Sequence, residues 1–167
     1  MKNVVRLPIL SACLAFLLAQ LPALPAQAEG SLGFDINITL SPKAAAKLKS
    51  ANEGITVGAS YYGDPKKGVK KFVNEMGMLD LRSETLSLPG EPGIAHITGR
   101  DVPAERLTFL NGPVSVNVNI WSSRKSGEDN ILNCDFIDGE VAKVAKTPPI
   151  TLHCSLISEN LENKTYP

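Results

Sequence analysis

The stretch VSVNVNIW, residues 114–121, alternates apolar and polar side chains without exception until its last residue. Successive side chains of an extended chain point to opposite faces, so Val114, Val116, Val118 and Ile120 share one side while Ser115, Asn117 and Asn119 share the other. A period of two, not 3.6, predicts a half-buried β-strand rather than a helix. Trp121 falls on the polar face and interrupts the pattern just before the polar loop 122–130.

The same period recurs to either side. Phe34, Ile36, Ile38 and Leu40 line one face of residues 34–40, and Ile55, Val57, Ala59 and Tyr61 one face of 55–62. Further strands are predicted over 78–82, 84–88, 94–98, 131–137 and 150–157. Between the first two, Ser41 is placed to cap a helix and Pro42 to begin it, so a short alanine-rich helix is expected over 43–49, ended by the polar stretch 50–54. Helical turns are expected over 69–76 and 140–146. Pro89-Gly90-Glu91-Pro92-Gly93, Gly63-Asp64-Pro65, Asp138-Gly139 and Pro148-Pro149 punctuate the strands. Seven or eight short strands with little helix predict a mostly all-β domain, an antiparallel sandwich of immunoglobulin-like or transthyretin-like kind with one or two helical turns.

The N-terminus reads as an address. Lys2 and Arg6 precede an apolar run over residues 7–24, and Ala26-Gln27-Ala28 supplies a small-x-small end. This is the form of a secretory signal peptide cleaved after Ala28. Pro22 and Pro25 interrupt the run where a membrane-spanning helix of about 20 residues would still have to continue. A lipoprotein modified at Cys13 is the weaker alternative, because most of the apolar run lies after that cysteine. The expected organisation is therefore a signal peptide over 1–28, one β-domain over 29–157 and a flexible tail over 158–167, with no stable membrane insertion after cleavage.

Loss of Lys2 and Arg6 leaves 15 basic against 17 acidic residues in the remaining 139. No stripe of Lys and Arg is present to neutralise a phosphate backbone, so nucleic acid is not an expected partner. Loss of Cys13 leaves Cys134 and Cys154, each on an apolar face, and an exported chain is expected to join them as a disulfide. Two cysteines and the scattered His96 and His153 show no metal-ligand spacing, and neither a metal nor a cofactor is expected.

Catalytic patterns are sparse. His153 is expected on a solvated strand face, and His96 partly buried and hydrogen-bonded. Asp135 and Asp138, with Glu128, Asp129 and Glu140, form the one acidic concentration from which a glycan-directed enzyme could draw loop carboxylates. Gly63-Asp64-Pro65-Lys66-Lys67-Gly68 evokes a phosphate loop, but Val69-Lys70 departs from the required Lys-Ser/Thr, and Pro65 lacks a backbone donor. Exposed aromatics remain as binding candidates, because they bury large area at low entropy cost. The expected binding residues are Trp121 and Tyr62, with Lys66, Lys67 and Arg124 beside them.

The Leu40-Ser41-Pro42 corner, the alanine-rich turn and the returning strand, together with residues 119–139 running through Arg124-Lys125-Ser126-Gly127, resemble the periplasmic Ig-like C-terminal domain of CycH-type cytochrome c biogenesis factors. The resemblance covers about a third of the chain. It implies an immunoglobulin-like sandwich that handles an apocytochrome or a partner of an assembly machinery. The cysteine pair is no part of that pattern.

Taken together, the residues predict an exported, periplasmic or secreted, non-catalytic binding or accessory module for a protein or cell-envelope component. An inhibitor of an envelope hydrolase acting through loop 122–130, and the glycan-directed enzyme, are the alternatives.

Overall fold

The computed structural model describes residues 32–146 and 148–167. The signal-peptide reading of residues 1–28, with Cys13 inside it, lies outside the described residues. Nine strands among the described residues form two sheets. The first sheet has four strands in the order β4 (Gly93–Ile97), β1 (Phe34–Leu40), β8 (Ile150–Leu156) and β6 (Leu132–Cys134). The second has five, in the order β3 (Leu79–Leu88), β2 (Ile55–Gly63), β5 (Ser115–Ser122), β7 (Phe136–Glu140) and β9 (Thr165–Tyr166). Pairing is mostly antiparallel, and the exceptions are β1 with β8 and β7 with β9, which run parallel.

Alternation puts the expected residues inside. Ile36, Ile38 and Leu152 from one sheet and Ile55, Val57, Val116 and Val118 from the other belong to one buried cluster, so the two sheets share a single core. Helix α1 (Pro42–Ser50) begins as the sequence requires, with Ser41 Oγ accepting the backbone N–H of Ala44 at 3.0 Å. It buries Ala44 and Leu48 and leaves its lysines in water. Burying a side chain the size of Leu48 contributes about 2 kcal/mol. Two single helical turns, α2 (Ala104–Leu107) and α3 (Val141–Val144), complete the regular structure with a 3-10 turn at Ile157–Glu159.

Cys134 and Cys154 face each other directly across β6 and β8 and are joined as a disulfide with a sequence separation of 20. In the chain-entropy model a loop of this length stabilises by about 3 kcal/mol. Both sulfurs lie in the core beside Leu132 and Leu152.

Several elements differ from the sequence expectation. Residues 131–137 are two strands and not one: β6 belongs to the first sheet, β7 to the second, and Asp135 is the residue at which the chain changes sheets. A single strand over 131–137 would put Phe136 on the face of Cys134, and the change of sheet separates them. The stretches 78–82 and 84–88 merge into the single strand β3. Its pairing with β2 jumps from Tyr61↔Arg82 to Tyr62↔Asp80, which leaves Leu81 as an unpaired bulge residue. The bulge shifts the phase by one, so Leu79 and Leu81 turn inward on one side of it and Leu86 and Leu88 pack against the core on the other. Residues 69–76 form turns and no helix, closed by a bridge between Val73 and Leu79. The polar segment 158–167 lacks any period yet packs along the second sheet through β9, so the packed chain runs past residue 157. Pro167 lies close enough to Gly139 that a Cβ there would meet its backbone.

Candidate functional site

Strands β2 and β5 lie in the middle of the five-stranded sheet, and their polar residues form its outer face. Cross-strand register places Thr56 opposite Trp121, Gly58 opposite Asn119, Ser60 opposite Asn117 and Tyr62 opposite Ser115. The two candidate aromatics of the sequence therefore share one face. Six residues of β2 separate their positions, or about 20 Å at ~3.4 Å per residue.

Trp121 is half-buried, and its indole leans along the sheet to cover Gly58. A Cβ at position 58 would lie 2.6 Å from Cη2 and 2.8 Å from Cζ3 of the ring. Glycine is thus a steric requirement of the indole's placement, in the manner of an aromatic covering a strand glycine.

At the other end, Tyr62 donates its hydroxyl to Oδ1 of Asp138 at 2.5 Å. Asp138 sits on β7, opposite Asn117 of β5, so the bond spans the strand between. Burial first, then the hydrogen bond and charge of Asp138, push the Tyr62 phenol up to about 12. Neighbouring Tyr61 points inward as the alternation requires, donates to the Leu32 carbonyl at 3.0 Å, and has its phenol raised further by burial and then by Glu84.

A groove of about 860 Å³ opens over this end of the face. Ser60, Tyr62, Asn117 and Asp138 line one part of it, and Met76 and Met78 another. Residues at the β2–β3 bulge, Tyr62, Asp80 and Arg82, belong to the groove's lining. Arg106 donates to the carbonyls of Asp80 at 3.1 Å and of Leu81 at 2.8 Å, beside the break in the β2–β3 register, and lies 4.2 Å over the ring of Phe72. Phe72 itself holds a positive φ of 64°, an uncommon backbone state for an aromatic residue. The loop wall is shaped by Asn74, whose Oδ1 accepts the N–H groups of Met76 and Met78 and whose side-chain amide donates to Asp80. Met76 is left 83% exposed at the groove's edge.

The other expected site residues go elsewhere. Lys66 donates to the Thr108 carbonyl at 2.8 Å, and Lys67 lies in the solvated turn between Lys66 and Val69, in which Gly68 takes a φ of 85°. Neither lines the groove. Arg124 is exposed on loop 122–130, with a φ of 58°. That loop is firmly held: the buried Glu53 carboxylate accepts the N–H groups of Gly54, Lys125 and Ser126 and the Ser126 hydroxyl, at 2.7 to 3.1 Å. Burial alone would raise the Glu53 pKa, but the donors from Ser126, Gly54 and Lys125 outweigh it and bring it down to about 2.

Asp135 and Asp138 do not form a pair. Asp135 is 7% exposed and accepts the backbone N–H groups of His153 and Lys164, which secures the chain where it changes sheets. Asp138 points into the groove, and neither carboxylate is on a loop of the kind the sequence suggested. His96 is not partly buried; its side chain is 73% exposed on the outer face of the first sheet and lies 2.8 Å from Asp35. His153 is solvated, as its alternation implies, with Nδ1 3.0 Å from Thr39 Oγ1. Among the described residues no group of His, Cys, Asp and Glu is arranged to hold a metal ion, and no helix is long and apolar enough to cross a membrane.

Sequence reasoning nominated both aromatics but not Asp138 as the partner of Tyr62, nor Asn117, Met76 and Arg106 as their neighbours on this face. The signal for Asn117 was present in the alternation that carries Trp121. Comparison with protein-family models, with curated proteins and with solved structures returned no match.

Proposed function

We propose that the chain is an exported, disulfide-stapled binding or accessory module of the periplasm or cell exterior, which recognises a protein or envelope component through the outer face of its five-stranded sheet and performs no catalysis. The observation that carries this reading is the placement of Trp121 and Tyr62 on one face, with a groove at the Tyr62 end. Half-buried aromatics braced by neighbours lose little entropy on binding and anchor interfaces for that reason. The joined cysteines and the signal-like N-terminus support export. The resemblance to the Ig-like domain of CycH-type factors supports an accessory role and an immunoglobulin-like arrangement.

A second reading, inhibition of an envelope hydrolase, draws on loop 122–130. Its grip on Glu53 gives a preorganised loop that presents Arg124, the kind of rigidity that reduces the entropic cost of inhibitor binding.

Capture from a cell-envelope extract with the purified disulfide-bonded protein tests the first reading. Retained material is expected to be lost with Trp121→Ala combined with Tyr62→Ala and kept with Arg124→Ala. The reverse pattern would transfer the function to the loop. Intact mass of the protein recovered from cells checks export, with removal of the first 28 residues as the expected result.

A further inference from the structure

Resting on the outer face as the recognition surface, we infer that its ligand is a neutral oligosaccharide laid along β2 and β5 from Trp121 to the groove at Tyr62.

The face excludes a strand-like occupant. β2 is paired on both sides, by β3 and β5, and β5 by β2 and β7, so their ladder groups are already engaged. A ligand lying here is read by side chains alone. Those side chains are uncharged along both strands: Thr56, Gly58, Ser60 and Tyr62 on β2, and Ser115, Asn117, Asn119 and Trp121 on β5. At the groove the carboxylates of Asp80 and Asp138 are balanced by the guanidinium groups of Arg82 and Arg106. A polyanion finds no net positive field, and an apolar segment finds no large exposed apolar side chain on the strands between the two aromatics, Met76 being exposed at the groove's edge.

What the face does offer matches a sugar chain. Asn119 donates to Asn117 at 2.5 Å, and the Ser60 and Ser83 hydroxyls lie 3.0 Å apart. Such side chains are pre-ordered and keep spare donors and acceptors, which hydroxyl groups can satisfy from either side. Sugar rings also present C–H faces, which pack on aromatic rings. Trp121 supplies one such surface across Gly58, and Tyr62 a second, held in place by Asp138. Because the indole lies over Gly58, the two surfaces are four residues of β2 apart, about 14 Å at ~3.4 Å per residue, a span that requires a chain of several sugars and not a single one.

Trp121 is the sole tryptophan of the chain, so its emission reports on the site directly. The test is titration of the disulfide-bonded protein with linear neutral hexasaccharides (β-1,4-glucan, α-1,4-glucan and β-1,4-N-acetylglucosamine), with the monosaccharides and polygalacturonate as controls, followed by calorimetry on variants. At least one neutral hexasaccharide should shift the emission saturably, while its monosaccharide and the polyanion do not. Asn117→Ala with Asn119→Ala, both on an exposed face, should weaken that binding about tenfold or more while leaving near-ultraviolet dichroism unchanged. Trp121→Phe should weaken it less than Trp121→Ala. Absence of binding to all three hexasaccharides, preference for the polyanion, or binding indifferent to the asparagine pair would each overturn the assignment. If envelope capture still depends on Trp121 and Tyr62 in that case, only the ligand class fails; if that dependence is also lost, the recognition face fails with it.

Discussion

Tyr62 on β2 reaches across β5 to donate its hydroxyl to Asp138 on β7, joining residues 76 apart in the chain. The bond fixes the phenol at the mouth of the groove and couples its ionisation to a carboxylate. The pKa of Tyr62 is about 12, against 10.0 for an ordinary phenol, because of burial and then Asp138. Asp138→Asn removes the negative charge and should move one phenolate transition in the alkaline absorbance titration down from about 12 toward 10. The sign has a stability counterpart. A phenol raised in the folded state contributes stability that is complete below the unfolded value of about 10 and is lost as pH rises through about 12. Tyr61, raised further, acts in the same direction, so Tyr62→Phe should reduce that loss by the Tyr62 share, measured as the difference between wild type and variant in the pH dependence of the denaturant midpoint.

The Trp121 indole needs the space above Gly58. Gly58→Val places methyl groups where Cη2 and Cζ3 now lie, since even a Cβ would approach them to 2.6 and 2.8 Å. The ring must swing into solvent. A red-shifted tryptophan emission is expected, together with an overpacking cost of about 1–3 kcal/mol in equilibrium unfolding. An unchanged emission would show that the ring does not lie across the glycine.

Glu53 holds loop 122–130 through three donors, the Lys125 and Ser126 N–H groups and the Ser126 hydroxyl, and the same buried carboxylate also accepts the Gly54 N–H. Glu53→Gln removes the charge that strengthens these bonds and should cost about 2–3 kcal/mol. Amide exchange should rise at Lys125 and Ser126. The folded pKa of about 2 lies below the ordinary 4.5, so the wild-type carboxylate contributes stability that is present above pH 4.5 and lost as pH falls toward 2. Glu159, also lowered, by the Ser41 and Leu156 hydrogen bonds, acts in the same direction. The difference between wild type and Glu53→Gln isolates the Glu53 contribution and should shrink steadily over that interval.

Much of the local structure was legible in the chain. Helix α1 starts at Ser41-Pro42 because a side-chain oxygen and a preset φ act within four residues of each other. Strands β1, β2 and β5 bury the residues their alternation nominates, and both cysteines lie on the apolar faces assigned to them. The break at Asp135 was not legible. Residues 132–136 alternate smoothly through the break, and a change of sheet needs only a backbone turn that the carboxylate of Asp135 secures through His153 and Lys164, both far along the chain. The bulge at Leu81 was visible only as two adjoining strands out of phase.

By itself the sequence determined which side chains face the core and which face water, since that follows from a period of two acting over a few residues. It also determined that Asn117, Asn119 and Trp121 stand in one row. Only the tertiary structure decided which strands lie side by side, because the alternation of one strand is compatible with many neighbours and the choice rests on contacts between distant residues. That choice brings Tyr62 to Asp138, sets Trp121 over Gly58, and turns two separate aromatics into the ends of a single face.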